Sequence, residues 1–342
     1  MITEGNRCGI ISVGNWIVDS ISFIDTYPQR GNLVSIRKVE EGLGGCAHNV
    51  LVDLAALKSG IPLFAGGCVG DDRFGEMAMD AIRSYGIDGS NMKTLPGEAT
   101  SYTLVMSETG GSGSRTFFHN RGANARLTAD MVLSVQSDAR IFHLGYLLLL
   151  DELDKPDEEY GVVAARVLKT LQERGYRTSV DVVSEEGDRF RSVVLPCLKH
   201  VDYLIINEVE AGACLGRDLR NPDGTIDPEI VGQAAGDLMA YGVGELCVIH
   251  YPEGGVALKK GSGYVSVPST GTPSEEIVST VGAGDAFCAG CLFAIHEGYP
   301  VEEMLRFANV CARFNLYSPT STGGAPSLDQ VKDYLSDFYS NI

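Results

Sequence analysis

Ser279-Thr280-Val281-Gly282-Ala283-Gly284-Asp285-Ala286-Phe287 sets small residues in front of a run, Ala286 to Ile295, that is almost wholly apolar or small. Such a run is long enough for a buried helix, and Gly298, after His296-Glu297, supplies its C-terminal stop. The glycines then fall at the helix N-terminus. There the backbone N–H groups lack intrahelical partners and the positive end of the dipole lies behind them. With so little side chain at Gly282, Ala283 and Gly284, a phosphate can approach the backbone. Asp285, directly after, is placed to take a proton from a nucleophile attacking that phosphate. Phosphoryl transfer to a hydroxyl is the chemistry this suggests; a glycine-rich turn with Asp285 as a first-turn cap is the plainer reading.

Outward from this stretch, the second half of the chain alternates short apolar runs with longer amphipathic ones. Strands are expected at Ile141–Leu144, Thr178–Val183, Tyr203–Ile206 and Leu246–His250, and helices at Glu158–Arg174, near Arg189–Leu198, at Glu208–Leu215 and at Pro228–Tyr241. That rhythm predicts a mostly parallel sheet covered on both faces. Gly255–Leu258 and Tyr264–Pro268 read as antiparallel strands at its far end, and helices at Val301–Leu316 and Ser327–Tyr339 close the chain.

The first half has another texture. Gly9–Val13 and Phe64–Val69 are apolar and read as buried strands, with a helix from the turn at Gly70–Gly75 to Tyr85. Ile21–Asp25, Leu33–Val39, Ser101–Ser107 and Arg115–His119 alternate apolar with polar residues, as strands do when only one face is buried. They are grouped as a small sheet standing off the main body, a candidate lid with a Gly/Ser tip at Gly110–Ser114. Between the lid segments, Gly44-Gly45-Cys46-Ala47-His48-Asn49 opens a helix to about Leu57; paired glycines admit a close ligand, and Asn49 offers donor and acceptor to a polyol.

In such a sheet, ligands sit beyond the carboxyl ends of the strands. The segments Asn15–Asp19, Asp181–Glu186, Asn207–Glu210 and Gly282–Asp285 all belong there. Asp19, expected in a loop after the first strand, could hold a substrate hydroxyl or cap a turn. Asn207 and Glu210 could serve a phosphate and the water shell of Mg²⁺, or simply form a helix capping box.

Composition narrows the function classes. The 342 residues are 44% hydrophobic and 21% charged, a normal globular balance with ample core. A net charge of −18 opposes binding to nucleic acid or an anionic membrane, which both need a basic face. The nine cysteines form no regular framework, and most lie in apolar runs. They read as reduced core residues of a cytoplasmic protein. The start, MITEGNRCGIISVG, lacks a basic region followed by an apolar one, so no signal peptide is expected.

Taken together, these motifs resemble those of the ribokinase-like (PfkB) carbohydrate kinases over nearly the whole chain. Gly44–Asn49 is similar to that family's N-terminal signature, Thr280–Asp285 to its C-terminal signature, and Asn207-Glu208-Val209-Glu210 to its NxxE motif. The resemblance implies a three-layer αβα sandwich over residues 1–342, with a lid from about 20–41 and 98–120. It implies transfer of the γ-phosphoryl of ATP to a sugar hydroxyl, with a nucleoside acceptor or a retired ligand-binding regulator as alternatives. By position, Asp285 would be the base and the N–H groups of Gly282, Ala283, Gly284 and Asp285 the anion hole. Asp19, Gly44, Gly45 and Asn49 would bind substrate; Asn207, His250, Gly255, Thr280 and Asn309 would bind nucleotide. Glu210 would hold Mg²⁺ through water. A homodimer through the half-exposed lid strands is expected. One tension is physical: a helix N-terminus favours Asp285 as carboxylate, making it a weak base, so orientation would be its main contribution.

Departures from the pattern are local. Ser279 stands where relatives have an aspartate that helps bind a monovalent cation, so ATP and Mg²⁺ are the expected cofactors and the monovalent cation stays open. His250-Tyr251-Pro252-Glu253-Gly254-Gly255 keeps only the last glycine of a Thr-x-Gly-x-x-Gly loop, and Pro252 removes an N–H there.

Overall fold

The computed structural model describes residues 7–109, 115–185 and 187–339. The Gly/Ser tip expected at Gly110–Ser114 lies outside them. Strands β1 (Ile10–Gly14), β2 (Ile17–Ile24), β3 (Ile36–Gly44), β4 (Leu63–Gly70), β5 (Asp88–Leu95), β6 (Ser101–Glu108), β7 (Arg115–Asn120) and β8 (Ile141–Leu147) come first. The short pair β9 (Pro156–Asp157) and β10 (Gly161–Val162) follows, then β11 (Arg177–Val182), β12 (Tyr203–Asn207), β13 (Leu246–Tyr251), β14 (Gly254–Lys259) and β15 (Tyr264–Pro268). The helices are α1 (Cys46–Ala56), α2 (Arg73–Ser84), α3 (Ala129–Leu133), α4 (Val163–Glu173), α5 (Leu195–Cys197), α6 (Glu208–Leu215), α7 (Pro228–Ala240), α8 (Ala283–Glu297), α9 (Val301–Asn315) and α10 (Leu328–Tyr339).

A nine-stranded sheet runs in the order β15-β14-β13-β12-β11-β8-β1-β4-β5. It is parallel from β13 to β5, and only the β13–β14 and β14–β15 pairings are antiparallel, as their patterning anticipates. Alternate residues of one strand feed opposite layers. Ile11, Phe142 and Leu204 pack with α4, α6 and α7, whereas Ile10, Ile141 and Ile205 pack with α1, α8 and α9. Helices α8 and α9 approach closely because Gly290 has no side chain; a Cβ there would lie 2.8 Å from Ala308 Cα. The three-layer αβα architecture is therefore as the sequence implies. No helix among the described residues is long and apolar enough to cross a membrane.

The segments expected to form a lid make a second sheet of order β3-β2-β6-β7. Its register puts Asp19, Thr103 and His119 in one row on one face, and Val39, Leu104 and Phe118 on the other, where all three are exposed.

The structure departs from expectation in four places. Asp19 is not in a loop: β2 starts at Ile17, so Asp19 is a strand residue of the lid. Strand β5 carries almost no apolar signal, since only Asn91 and Met92 of it are buried at the sheet edge. Helix α4 starts at Val163 rather than at 158. Asp157 accepts the N–H groups of Glu159 and Tyr160, and the chain turns through Gly161 at φ 82. The helix expected near Arg189–Leu198 is a π-helical turn over Phe190–Val194, the short α5 and a 3₁₀ turn over Leu198–His200. Pro196 there removes a backbone donor.

Candidate active site

The cradle is built by backbone constraint. Gly282 caps α8 at φ 81, a left-handed conformation, and a Cβ there would lie 2.1 Å from the Ser321 carbonyl oxygen. The preceding loop is tied down: Ser279 Oγ accepts the Val281 N–H at 3.2 Å, and Asn315 Nδ2 donates to the Val281 carbonyl at 2.8 Å. Of the four N–H groups expected to form an anion hole, that of Ala283 turns back to the Thr280 carbonyl at 3.3 Å. Those of Gly284 and Asp285 lie in the first helical turn, where no i−4 carbonyl is available.

Asp285 is buried, yet both carboxylate oxygens have donors. Asn49 Nδ2 donates to Oδ2 at 2.7 Å, and Tyr146 Oη donates to Oδ1 at 2.8 Å and to Oδ2 at 3.0 Å. Burial raises the Asp285 pKa, and these two hydrogen bonds pull it back without cancelling the rise. The helix terminus therefore does not leave Asp285 as weak a base as its sequence position alone suggests. Asn49 is itself oriented, because its Oδ1 accepts from Ser321 Oγ at 3.0 Å and faces His48 Nδ1 at 2.9 Å.

The expected substrate residues come together on the lid side. Gly45 caps α1 at φ 90, and a Cβ there would lie 2.4 Å from the Asn15 carbonyl oxygen. A Cβ on Gly44 would lie 2.8 Å from Asp19 Oδ2, so the missing side chain is what admits that carboxylate. Burial raises the pKa of Asp19, with the Thr103 hydroxyl opposing.

Across the cradle lies a cavity of 650 Å³ lined by Asn207, His250, Thr280, Gly284 and Asn309 among others. That volume suits a small organic ligand. His250 packs on Phe287 with ring centroids 4.8 Å apart, and burial lowers its pKa to about 4, so it is a neutral imidazole. Asn309 is held by the Val267 and Pro268 carbonyls at 3.4 and 3.3 Å. Gly255 does not join the lining. It lies behind, where a Cβ would meet Phe287 Cζ at 3.1 Å and Leu305 Cδ2 at 3.3 Å.

Asn207 and Glu210 form the full capping box of α6. Glu210 accepts the Asn207 N–H at 2.9 Å and the Ser184 hydroxyl at 2.7 Å. It does not line the cavity. Burial pushes its pKa up to about 7, with Asp285 adding to the rise, and Asp181 is pushed well up by burial, Glu210 and Asp285. Asp285 adds to the rise at both, so three buried carboxyl groups, the kind of oxygen donor that suits a hard divalent cation such as Mg²⁺, lie within reach of one another's charge. Cys46 packs among them, its Sγ 3.1 Å from His143 Nε2 and 3.6 Å from Asp181 Oδ2. All nine cysteines are free, and all but Cys8 are buried.

Tyr146 and Ser321 escaped the sequence reading. Tyr146 does lie at the carboxyl end of an apolar strand, which is where ligands collect, and that is its one available signal. Ser321 belongs to a Ser/Thr/Gly-rich stretch after α9 with no motif of its own.

Comparison with known proteins accords with this arrangement. The model of the "pfkB family carbohydrate kinase" matches residues 9–328. An ATP-dependent ribose-1-phosphate kinase of Halopiger xanaduensis is 27% identical over 332 residues, covering 96% of this chain and 98% of that one. The structure of Arabidopsis thaliana ribokinase complexed with ribose and ATP superposes with a TM-score of 0.79 at 21% identity, over 96% of this chain and 99% of that one. An Escherichia coli structure in complex with ATP and Mg²⁺ gives a TM-score of 0.73 at 19% identity, over 96% and 99%. With the two-glycine turn before α1, the glycine cradle of α8 and a family match spanning nearly all of the sequence, the chain belongs to the pfkB family of carbohydrate kinases.

Proposed function

We propose that this chain transfers the γ-phosphoryl group of ATP to a hydroxyl of a sugar bound under the lid. One observation carries the reading. Asp285 stands between the cradle that faces the cavity and Asn49, which belongs to the lid side. On this reading, Asp285 orients the acceptor hydroxyl and takes its proton late in a loose transition state. The backbone N–H groups of Gly282, Gly284 and Asp285 stabilise charge on the transferring group. Asp19, Gly44, Gly45 and Asn49 hold the sugar, and Asn207, His250, Thr280 and Asn309 hold the nucleotide. Asn207 and Glu210 are the residues that would hold Mg²⁺, which when bound neutralises phosphate charge.

A nucleoside acceptor is the second reading, favoured by Phe117 and His119 sharing the lid face of Asp19. ADP release with ATP, Mg²⁺ and a panel of sugars and nucleosides tests both. No turnover with any acceptor would leave a ligand-binding regulator as the function. The reading includes one domain with a lid from about 20–41 and 98–120, a cytoplasmic setting and a homodimer through the lid. Exposed Leu104 and Phe118, cross-strand neighbours, and exposed Val39 on the same face support the dimer, since they leave apolar side chains without cover.

A further inference from the structure

One of the two donors on Asp285 is itself a hydroxyl. Tyr146 Oη reaches across the carboxylate, 2.8 Å from Oδ1 and 3.0 Å from Oδ2, while Asn49 Nδ2 holds Oδ2 at 2.7 Å. Tyr146 enters from the carboxyl end of β8. It does not line the cavity assigned to the nucleotide. Its backbone N–H donates to Asn15 Oδ1, beside the turn that carries Gly45, so the ring approaches Asp285 from the acceptor side. Burial and the charges of Asp285, Cys46 and Asp181 keep the phenol protonated and therefore a donor.

We propose that Tyr146 is a place-holder: without an acceptor, its phenol occupies the position an acceptor hydroxyl takes against Asp285, and it keeps water off the base until an acceptor displaces it. The inference rests on Asp285 being the base.

The competitor it excludes is hydrolysis. In that step the oxygen of water bonds to the γ-phosphorus and the bond from that phosphorus to the β–γ bridging oxygen breaks. The electron pair stays on ADP, and the proton of water passes to Asp285 and then to solvent. A phenol cannot take this path as water does, because its oxygen is fixed to a ring anchored by the backbone. Removing only that oxygen leaves a polar, hydroxyl-sized hole beside a carboxylate, the kind of space that recruits a water. Displacing the phenol also weakens acceptor binding, as any closed resting state does.

The test measures ADP formation from ATP and Mg²⁺, with and without acceptor, in the wild type, Tyr146→Phe, and Tyr146→Phe combined with Asp285→Asn. The expected result is a rise of roughly tenfold in acceptor-free hydrolysis for Tyr146→Phe, a lower acceptor KM, and loss of the gain in the double variant. Unchanged or reduced hydrolysis in a Tyr146→Phe protein that melts like the wild type would overturn the proposal and leave Tyr146 only orienting Asp285. If Tyr146→Phe does not fold, Tyr146→Leu replaces it under the same criteria. A wild type that phosphorylates no acceptor overturns the kinase reading itself, whereas an active wild type with no hydrolysis gain in the variant overturns the place-holder alone.

Discussion

Asn49 and Asp285 stand 236 positions apart in sequence and share a hydrogen bond of 2.7 Å. That single contact joins the first turn of α1, which adjoins the lid, to the first turn of α8, which adjoins the nucleotide cavity. Removing the amide takes away a donor that holds the Asp285 pKa down. Asn49→Ala should therefore move the acidic limb of the kcat/KM–pH profile to higher pH. An unmoved limb would mean that Asp285 does not set it.

The carboxylate itself is the sharper test. Asp285→Asn keeps the shape and the amide-sized volume but removes the proton acceptor. Turnover should fall by roughly two to four decades while ATP still binds, as read by calorimetry. Unchanged turnover would remove Asp285 from the chemistry.

At Gly282 the constraint is steric rather than chemical. A methyl group there meets the Ser321 carbonyl oxygen at 2.1 Å in a backbone conformation, φ 81, that side chains disfavour. Gly282→Ala should cost about 2 kcal/mol or more in unfolding free energy and disturb the cradle, visible as a lower melting temperature with lower turnover. A melting temperature equal to wild type would show that the turn can shift without cost.

Glu210 gives a pH prediction. Its folded pKa is raised to about 7, above its ordinary value near 4.5. Between those values the folded state holds a proton that the unfolded state has released, so stability conferred at acid pH is lost as pH rises toward 7. Glu210→Gln should flatten that part of the curve of melting temperature against pH. If Glu210 also holds Mg²⁺, its ionised form is needed, so Mg²⁺-dependent nucleotide affinity should weaken below about pH 7 in the wild type and lose that dependence in the variant. Identical pH curves for the two proteins would count against both roles.

Legibility in the sequence followed the strength of local signals. Strands β1, β4, β12 and β13 are apolar along most of their length because both faces are covered, and they stand out for that reason. The cradle was visible because Gly282 and Gly284 have no side chain, and the Asn207–Glu210 spacing because a capping box is local. Strand β5 was not visible, since an edge strand held through Asn91 and Met92 need not alternate. Nor was the support of Asp285: Asn49, Tyr146 and Ser321 come from distant elements, and nothing in their neighbours reports that they converge. Asp19 was singled out but expected in a loop, because β2 begins within three residues of the end of β1.

That short crossing has a mechanical consequence. Asn124 grips Trp16 on both sides, accepting its N–H at 3.3 Å and donating to its carbonyl at 3.2 Å, while the indole donates to the Gly66 carbonyl at 3.0 Å. Trp16 is thereby a fulcrum fixed in the main sheet, and the lid is a lever that starts at Ile17. Asp19 sits on the short arm close to the pivot, whereas Phe23 and Ile24 ride far out on β2. Any tilt of this small sheet about Trp16 would displace Phe23 and Ile24 far more than Asp19, so the approach of that carboxylate to Gly44 is the part of the sheet least sensitive to its motion.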